Sequence, residues 1–391
     1  MKDDWRGRER TKSRTVRRRD GEDKAMKNLG IVSYNIHCNF TNYGSALQSW
    51  ALCRTIERLG YKPVLIDYCP DVLRDKNPLD PFRNMWDKDV ESRRMCELTM
   101  PAIRENYKKF DRFYTERFNR SKNVYTSDNF AECVEREGLD GFVCGSDTIF
   151  CPDEFGIDNG YYANYDCMKG RSIAYAASFG DAHFTLETYM MLDERLKNFK
   201  AIGIRESGMV PYIRQRVCVP VSQVLDPTLL LSSENFDELA QEPEGGSPYL
   251  LLYARRYNKE METYAIELAK KNGWRIVQIS LRAVNAEHGH EMRYDAGVEE
   301  FLGLVKNASY VVTNSYHGMI VSFQYGTPFT VFSREQCDTK IAEVAATLGV
   351  SRMADGYIYD GRGRRENMIQ SLNRSKEQSM VFLKQALEEN F

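Results

Sequence analysis

The sequence predicts an α/β protein made of two doubly wound halves that face each other across a cleft. Three observations carry that expectation. From Leu29 onward, short β-rich runs alternate with amphipathic helical stretches, the rhythm of βαβ units and parallel sheets. The alternation breaks once, at the polar stretch Glu242-Pro243-Glu244-Gly245-Gly246-Ser247-Pro248, and then resumes. Several of the strands end in small polar or charged residues, and the carboxyl ends of parallel strands are where such folds bind ligands.

Taken in order, Ile31–Ile36 reads as the first strand and His37–Thr41 as a loop. Asn42-Tyr43-Gly44-Ser45 opens a helix whose Leu52, Ile56 and Leu59 share one face, and Gly60 ends it. Val64–Asp67 is the second strand. Residues 70–128, rich in Arg, Lys, Asp, Phe and Tyr, read as a helical insertion over the sheet. Strands follow at Gly141–Cys144, Ser172–Ser178 and Ala201–Ile204, and Val224–Pro227 closes a first half covering 29–231. A linker, 232–248, leads to a second half, 249–391. It contains strands Tyr249–Tyr253, Arg275–Ile279, Tyr310–Thr313 and Phe329–Phe332, separated by helices Met261–Lys271, Val298–Lys306 and Met319–Tyr325. A charged amphipathic helix from about Ser375 completes it.

Composition narrows the function. The 391 residues are 42% hydrophobic and 28% charged with a formal net charge of −2, which excludes a disordered chain and general nucleic-acid binding. No run approaches the ~18–20 apolar residues of a membrane span. Residues 1–28 are different: they hold eleven Lys/Arg against six Asp/Glu and almost nothing apolar. Such a stretch is either a polybasic arm, giving peripheral association with anionic lipid or contact with nucleic acid, or a dispensable tail ahead of Met26. The tail is the expectation. With no apolar segment of a secretory signal after the charges, the expected location is cytoplasmic. The ten cysteines are then free thiols acting mostly as small buried hydrophobes. They and the five histidines never reach ligand spacing, so no metal site is expected.

The segment Val311-Val312-Thr313-Asn314-Ser315-Tyr316-His317-Gly318 is the most informative for chemistry. An apolar strand stops and a helix starts near Gly318, where free N–H groups favour a phosphate. His317, with Ser315 and Ser322 nearby, can donate to that phosphate or act as a general acid, or it can simply cap the turn. Arg205 ends a strand and suits bidentate capture of an anion, or else a salt bridge to a neighbour such as Glu206. Arg255 and Arg256 hold the equivalent place in the second half, where one of them would face the cleft. Gly145-Ser146-Asp147 also ends a strand, and Asp147 reads as a base, a sugar-hydroxyl acceptor or a turn-forming aspartate. At the first helix, Asn42 and Gly44 would allow close approach of a ligand, although no Gly-rich nucleotide fingerprint is present. Asp226-Pro227 reads as a turn.

Seven segments in order resemble the polysaccharide pyruvyl transferase family: Asn42–Gln48, Gly145–Asp147, Ala174–Gly180, Arg205–Ser207, Val224–Thr228, Thr313–Gly318 and Gly326–Phe329. The resemblance implies a glycosyltransferase-B-like pair of Rossmann-like halves. It also implies transfer of a pyruvyl group from phosphoenolpyruvate to saccharide hydroxyls, without metal or organic cofactor, for a surface polysaccharide. The acceptor would be nucleotide- or lipid-linked. The implied site has His317 and Asp147 as catalytic groups, with Arg205, Arg255, Ser315, Gly318, Asn42, Gly44 and Ser146 binding substrate. Part of the family carries arginine where this chain has Ser315, so that phosphate contact must come from elsewhere, with Arg205 or Arg255 as candidates. The rival readings are a glycosyltransferase using a nucleotide sugar and a non-catalytic glycan-binding protein on the same scaffold.

Overall fold

The computed structural model describes residues 26–38, 40–80, 90–246, 248–280, 289–334, 337–353, 356–359 and 361–391. The basic tail up to residue 25 lies outside them.

The first sheet contains β1 (Asn28–Val32), β2 (Lys62–Tyr68), β3 (Arg120–Tyr125), β4 (Gly141–Cys144), β5 (Ser172–Ala177), β6 (Phe199–Ile204) and β7 (Val221–Gln223). Its order is β3-β2-β1-β4-β5-β6-β7, and every pairing is parallel. The second sheet contains β8 (Tyr249–Tyr253), β9 (Arg275–Ile279), β10 (Glu291–Arg293), β11 (Tyr310–Thr313), β12 (Phe329–Val331), β13 (Ser351–Met353) and β14 (Gly356–Tyr359). Its order is β10-β9-β8-β11-β12-β14-β13, parallel as far as β12 and antiparallel beyond it. Both strand orders reverse, at β1/β4 and at β8/β11, and each reversal opens a crevice beyond the strand ends. The residues after β1, β4, β8 and β11 therefore share one cleft. The architecture is two doubly wound α/β halves, as the sequence implies.

The stretch 70–128 is more than an insertion over the sheet. It contains the helix Val90–Glu116 and then β3, which lies parallel to β2 at the sheet edge. Arg-Ser-Lys-Asn-Val-Tyr lacks a clean apolar alternation because an edge strand needs only one buried flank. The helix also joins the halves: Asn106 Nδ2 donates to Ala296 O (2.6 Å), and Lys109 Nζ lies 3.0 Å from Asp295 and 2.6 Å from Glu300. Nearby, Tyr43 stacks on Phe301 with ring centres 4.6 Å apart, and its hydroxyl donates to Ala296 O at 2.7 Å.

The first strand lies earlier than expected, starting at Asn28, the last residue of the stretch read as tail. It stops at Val32 because the chain must turn: buried Ser33 donates to Ser146 O at 2.9 Å, drawing the β1 loop towards the β4 loop. The terminal helix, Gly361–Asn390, follows the second half in sequence but crosses back onto the first sheet. There Ser379 Oγ accepts from Leu225 N at 2.9 Å, and Phe391 packs over Gly141, where any Cβ would collide with its ring.

The loop after β1 is tied to β2 by charge. His37 Nε2 lies 2.6 Å from buried Asp67 Oδ1, whose other oxygen takes Arg120 Nε at 3.0 Å. Burial opposes the imidazolium, but the Asp67 and Cys69 contacts outweigh it and raise the pKa from 6.5 to about 9. Folding therefore favours the protonated ring. Its contribution to stability is complete below pH 6.5 and fades as pH rises towards about 9. The wild type's advantage in melting temperature over His37→Gln should shrink across that window. A pH-independent difference would show that the ring contributes packing alone.

Candidate functional site

The site is organised by a residue that reads in sequence as a turn. Asp226 follows β7 and begins the short 3-10 turn Pro227–Leu229, and its side chain is fully buried. One oxygen, Oδ1, accepts from Thr228 N (2.9 Å) and Thr228 Oγ1 (2.6 Å). The other, Oδ2, lies 2.7 Å from Arg205 Nη2 and 3.3 Å from His317 Nε2. Burial alone would favour the neutral acid. Arg205, His317 and Thr228 outweigh it and hold the carboxyl well below the usual range.

Arg205 projects from the end of β6 and is 5% exposed. Its Nη2 serves both Asp226 and Ser146 Oγ, so the expected salt bridge exists, with Asp226 rather than Glu206. Its Nε and Nη1 are buried and have no hydrogen-bond partner among the described residues. Half of the guanidinium is therefore structural and half is free. Glu206 instead clamps the next loop, accepting from Ser178 Oγ, Phe179 N and Gly180 N.

His317 is the second residue of the helix Tyr316–Tyr325, which starts slightly earlier than the sequence suggests. Ser315 caps that helix by accepting from Gly318 N at 3.1 Å. Gly318 is required by crowding, since a Cβ there would lie 2.7 Å from Thr313 Oγ1. The other edge of the His317 ring rests on the first half. A Cβ on Gly44 would overlap Nδ1 and come within 2.6 Å of Cγ. Gly44 thus admits His317 rather than a ligand, and Asn42 caps its own helix by accepting from Gly44 N at 3.1 Å.

Ser146 is fully buried and held on all sides: N donates to Gln48 Oε1 (3.0 Å), Oγ donates to Ala176 O (2.9 Å), and O accepts from Ser33. Asp147 follows with φ 76°, a conformation uncommon for a non-glycine residue. Its carboxylate accepts from Ser45 Oγ at 2.5 Å. Burial opposes its charge, and Arg205, Lys340, His317 and Ser45 together lower its pKa below the ordinary value. Asp147 is accordingly an ionised carboxylate at neutral pH.

Two residues of the site escaped the sequence reading besides Asp226. Lys340, on the helix Asp338–Thr347, is 7% exposed, with Nζ 5.6 Å from the Tyr316 ring centre. It has no hydrogen bond or ion pair among the described residues, and it lines one pocket with Arg205, Asp226, Tyr316 and Glu343. Arg334, beyond β12, donates from Nε to Asn314 O at 3.2 Å. Arg334 could have been marked as a cation after a strand end, whereas Lys340, inside a helix, gave no advance sign. Arg255 is brought to the same turn, its N donating to Asn314 Oδ1 at 2.8 Å. The arrangement assembles an imidazole, an ionised carboxylate and several cations around one helix start, a set suited to binding an anion and moving a proton.

A family model for polysaccharide pyruvyl transferase matches residues 42–336. No curated protein matches the sequence. Among solved structures, the UDP-GlcNAc 2-epimerase from Neisseria meningitidis bound to UDP-GlcNAc is similar at 12% identity and a TM-score of 0.45, over 92% of this chain and 94% of that one. The glycotransferase of kitacinnamycin is similar at 11% identity and a TM-score of 0.44, over 93% and 99% of the two chains.

Two outcomes follow from this geometry. Gly44→Ala should displace the imidazole and reduce activity while the protein still folds, because the colliding atoms belong to a side chain and not to the backbone. Full activity in a folded Gly44→Ala protein would show that the His317 position is not needed. Asp226→Asn should cost about 3–5 kcal/mol at pH 7, since it leaves a buried guanidinium uncompensated. The depressed pKa makes that contribution present above about pH 4 and lost as pH falls further. Urea denaturation should therefore show the two proteins converging in acid, and a constant gap would contradict the ionised pairing.

Proposed function

Because the chain belongs to the polysaccharide pyruvyl transferase family, we propose that it transfers a pyruvyl group from phosphoenolpyruvate to two hydroxyls of a nucleotide- or lipid-linked saccharide in the cytoplasm, forming a cyclic ketal for a surface polysaccharide. The observation that carries this reading is Arg205, whose Nε and Nη1 are buried donors without partners beside a buried lysine. Unsatisfied donors in a cleft mark a binding site for a charged acceptor of hydrogen bonds. Phosphoenolpyruvate presents two such groups, a carboxylate and a phosphate.

In this proposal Arg205 and Lys340 hold the donor. Protonation of its methylene carbon makes C2 electrophilic, a saccharide hydroxyl bonds to C2, and the C2–O bond to phosphate breaks. The second hydroxyl then closes the ketal. Of the two hydroxyl protons, one balances the proton gained by the methyl group and the other leaves with phosphate. Asp147 is the base that accepts a hydroxyl proton. His317 gives a proton to the departing phosphate, and Asp226 fixes the ring and stabilises the imidazolium. Gly44 keeps the imidazole against the first half.

The test is mass spectrometry of a glycan panel incubated with phosphoenolpyruvate, the expected product being acceptor plus pyruvate minus water. His317→Ala should reduce turnover by about 10²–10⁴-fold. His317→Gln can still donate a hydrogen bond, so recovery of most of that loss would mean binding without proton transfer. Arg205→Lys keeps the charge but loses the planar fork, and should weaken donor binding by roughly tenfold to a hundredfold. Glycosyl transfer from a nucleotide sugar, with phosphoenolpyruvate untouched, would replace this reading by that of a glycosyltransferase.

A further inference from the structure

A second group of cations lies on the other side of the Ser315 turn, and one side chain orders it. Asn314 Oδ1 accepts from Arg255 N (2.8 Å), its Nδ2 donates to Arg256 O (2.8 Å), and its carbonyl accepts from Arg334 Nε (3.2 Å). The three strands behind these residues, β8, β11 and β12, are parallel neighbours. Their carboxyl ends therefore point to one place.

The guanidinium of neither Arg255 nor Arg334 pairs with a carboxylate among the described residues. Arg334 is part-buried; its Nη2 contacts Cys337 Sγ, and its main-chain N donates to Asp338 Oδ1 at 2.7 Å. The guanidinium of Arg255 lies 4.6 Å from the ring centre of Phe40, a residue of the first half, so the group faces the cleft. Burial depresses the pKa of Arg334 below its ordinary value; Cys337 opposes that shift, and the nearby charges of Arg255 and Arg256 add to it. Two guanidinium groups at neighbouring strand ends, neither in a salt bridge among the described residues, favour an anion that joins them. A pair of planar forks fits phosphate oxygens bidentately.

We propose that Arg255 and Arg334, held in place by Asn314, form a second anion subsite that binds a phosphoryl group, separate from the Arg205–Lys340 pair. The source of that group rests on the proposed reaction: it is the diphosphate of a carrier-linked saccharide or the phosphate of the donor. The site itself does not depend on turnover, because it is defined by binding.

Calorimetry with inorganic pyrophosphate, UDP and phosphoenolpyruvate as separate probes tests it in the full chain. Arg334→Gln and Arg255→Gln should each weaken pyrophosphate binding by roughly tenfold to a hundredfold. Arg54→Gln, a surface change on the first helix, should leave it unchanged. Loss confined to UDP assigns the subsite to the carrier diphosphate, and loss confined to phosphoenolpyruvate assigns it to the donor. Either upholds a phosphoryl subsite. Should one variant fail to fold by circular dichroism, the other carries the test. Unchanged affinity for all three probes in a folded variant, or no pyrophosphate binding by the wild type at millimolar concentration, overturns it. Pyrophosphate binding that needs these arginines in a protein showing no pyruvyl transfer would overturn the proposed reaction and leave the subsite standing.

Discussion

One buried carboxylate holds the molecule's chemistry and its architecture together. Asp226 belongs to the first half, yet it meets an arginine from its own half and a histidine from the other. A lone carboxylate at that depth would be protonated or excluded, so the residue persists only because its oxygens are saturated by charged and neutral donors. The same contacts set where the imidazole can stand. Positioning the imidazole and joining the two halves are thus a single interaction.

The rest of the interface follows from that constraint. A histidine held from one side by Asp226 needs a wall on the other, and the glycine at the start of the helix Tyr43–Arg58 provides it without occupying the space of a side chain. Tyr43, one residue earlier, is packed among Phe110, Phe301 and Tyr253, so the helix start that bears the wall is itself anchored in both halves. The Lys109 ion pairs and the Asn106 hydrogen bond extend the anchoring along the helix Val90–Glu116. A further bridge runs from Ser207 and Gln223 to Glu343. The cleft is consequently braced on several flanks, and the cations inside it are fixed before any ligand arrives, which lowers the entropic cost of binding.

Much of this was legible in the sequence, for physical reasons that also explain what was not. Fully buried strands such as Tyr249–Tyr253 and Gly141–Cys144 announce themselves because both faces are covered and the run is almost wholly apolar. The edge strands β3, β10 and β13, and β14 next to the last of them, are short or mixed in composition and have little periodicity to display. Strand ends carrying Ser146, Asp147, Arg205 and His317 could be marked as cleft residues because a parallel sheet directs its carboxyl ends to one side. Asp226 could not, because Asp-Pro satisfies every local rule for a turn, and its partners lie 21 and 91 positions away in the chain. Lys340 and Arg334 were hidden for a similar reason: among 54 Lys and Arg residues, only tertiary structure separates the few that reach the cleft without a salt bridge among the described residues. The role of Gly44 was inverted, since sequence shows that a small residue is needed but not what approaches it.

The path of the terminal helix has a consequence for how the chain is made. Strands β4 to β6 emerge from the ribosome before the second sheet, while the helix Gly361–Asn390 that covers β5 and β6 is synthesised after it. Domains ordinarily fold as units in the order of their synthesis. Here the first half must wait, with the apolar face that later receives Phe382 and Phe391 uncovered, until the second half has been translated. The nascent protein is therefore most vulnerable to aggregation in the interval between synthesis of β7 and of the helix Gly361–Asn390, when a nascent-chain chaperone that shields apolar surface has its natural client.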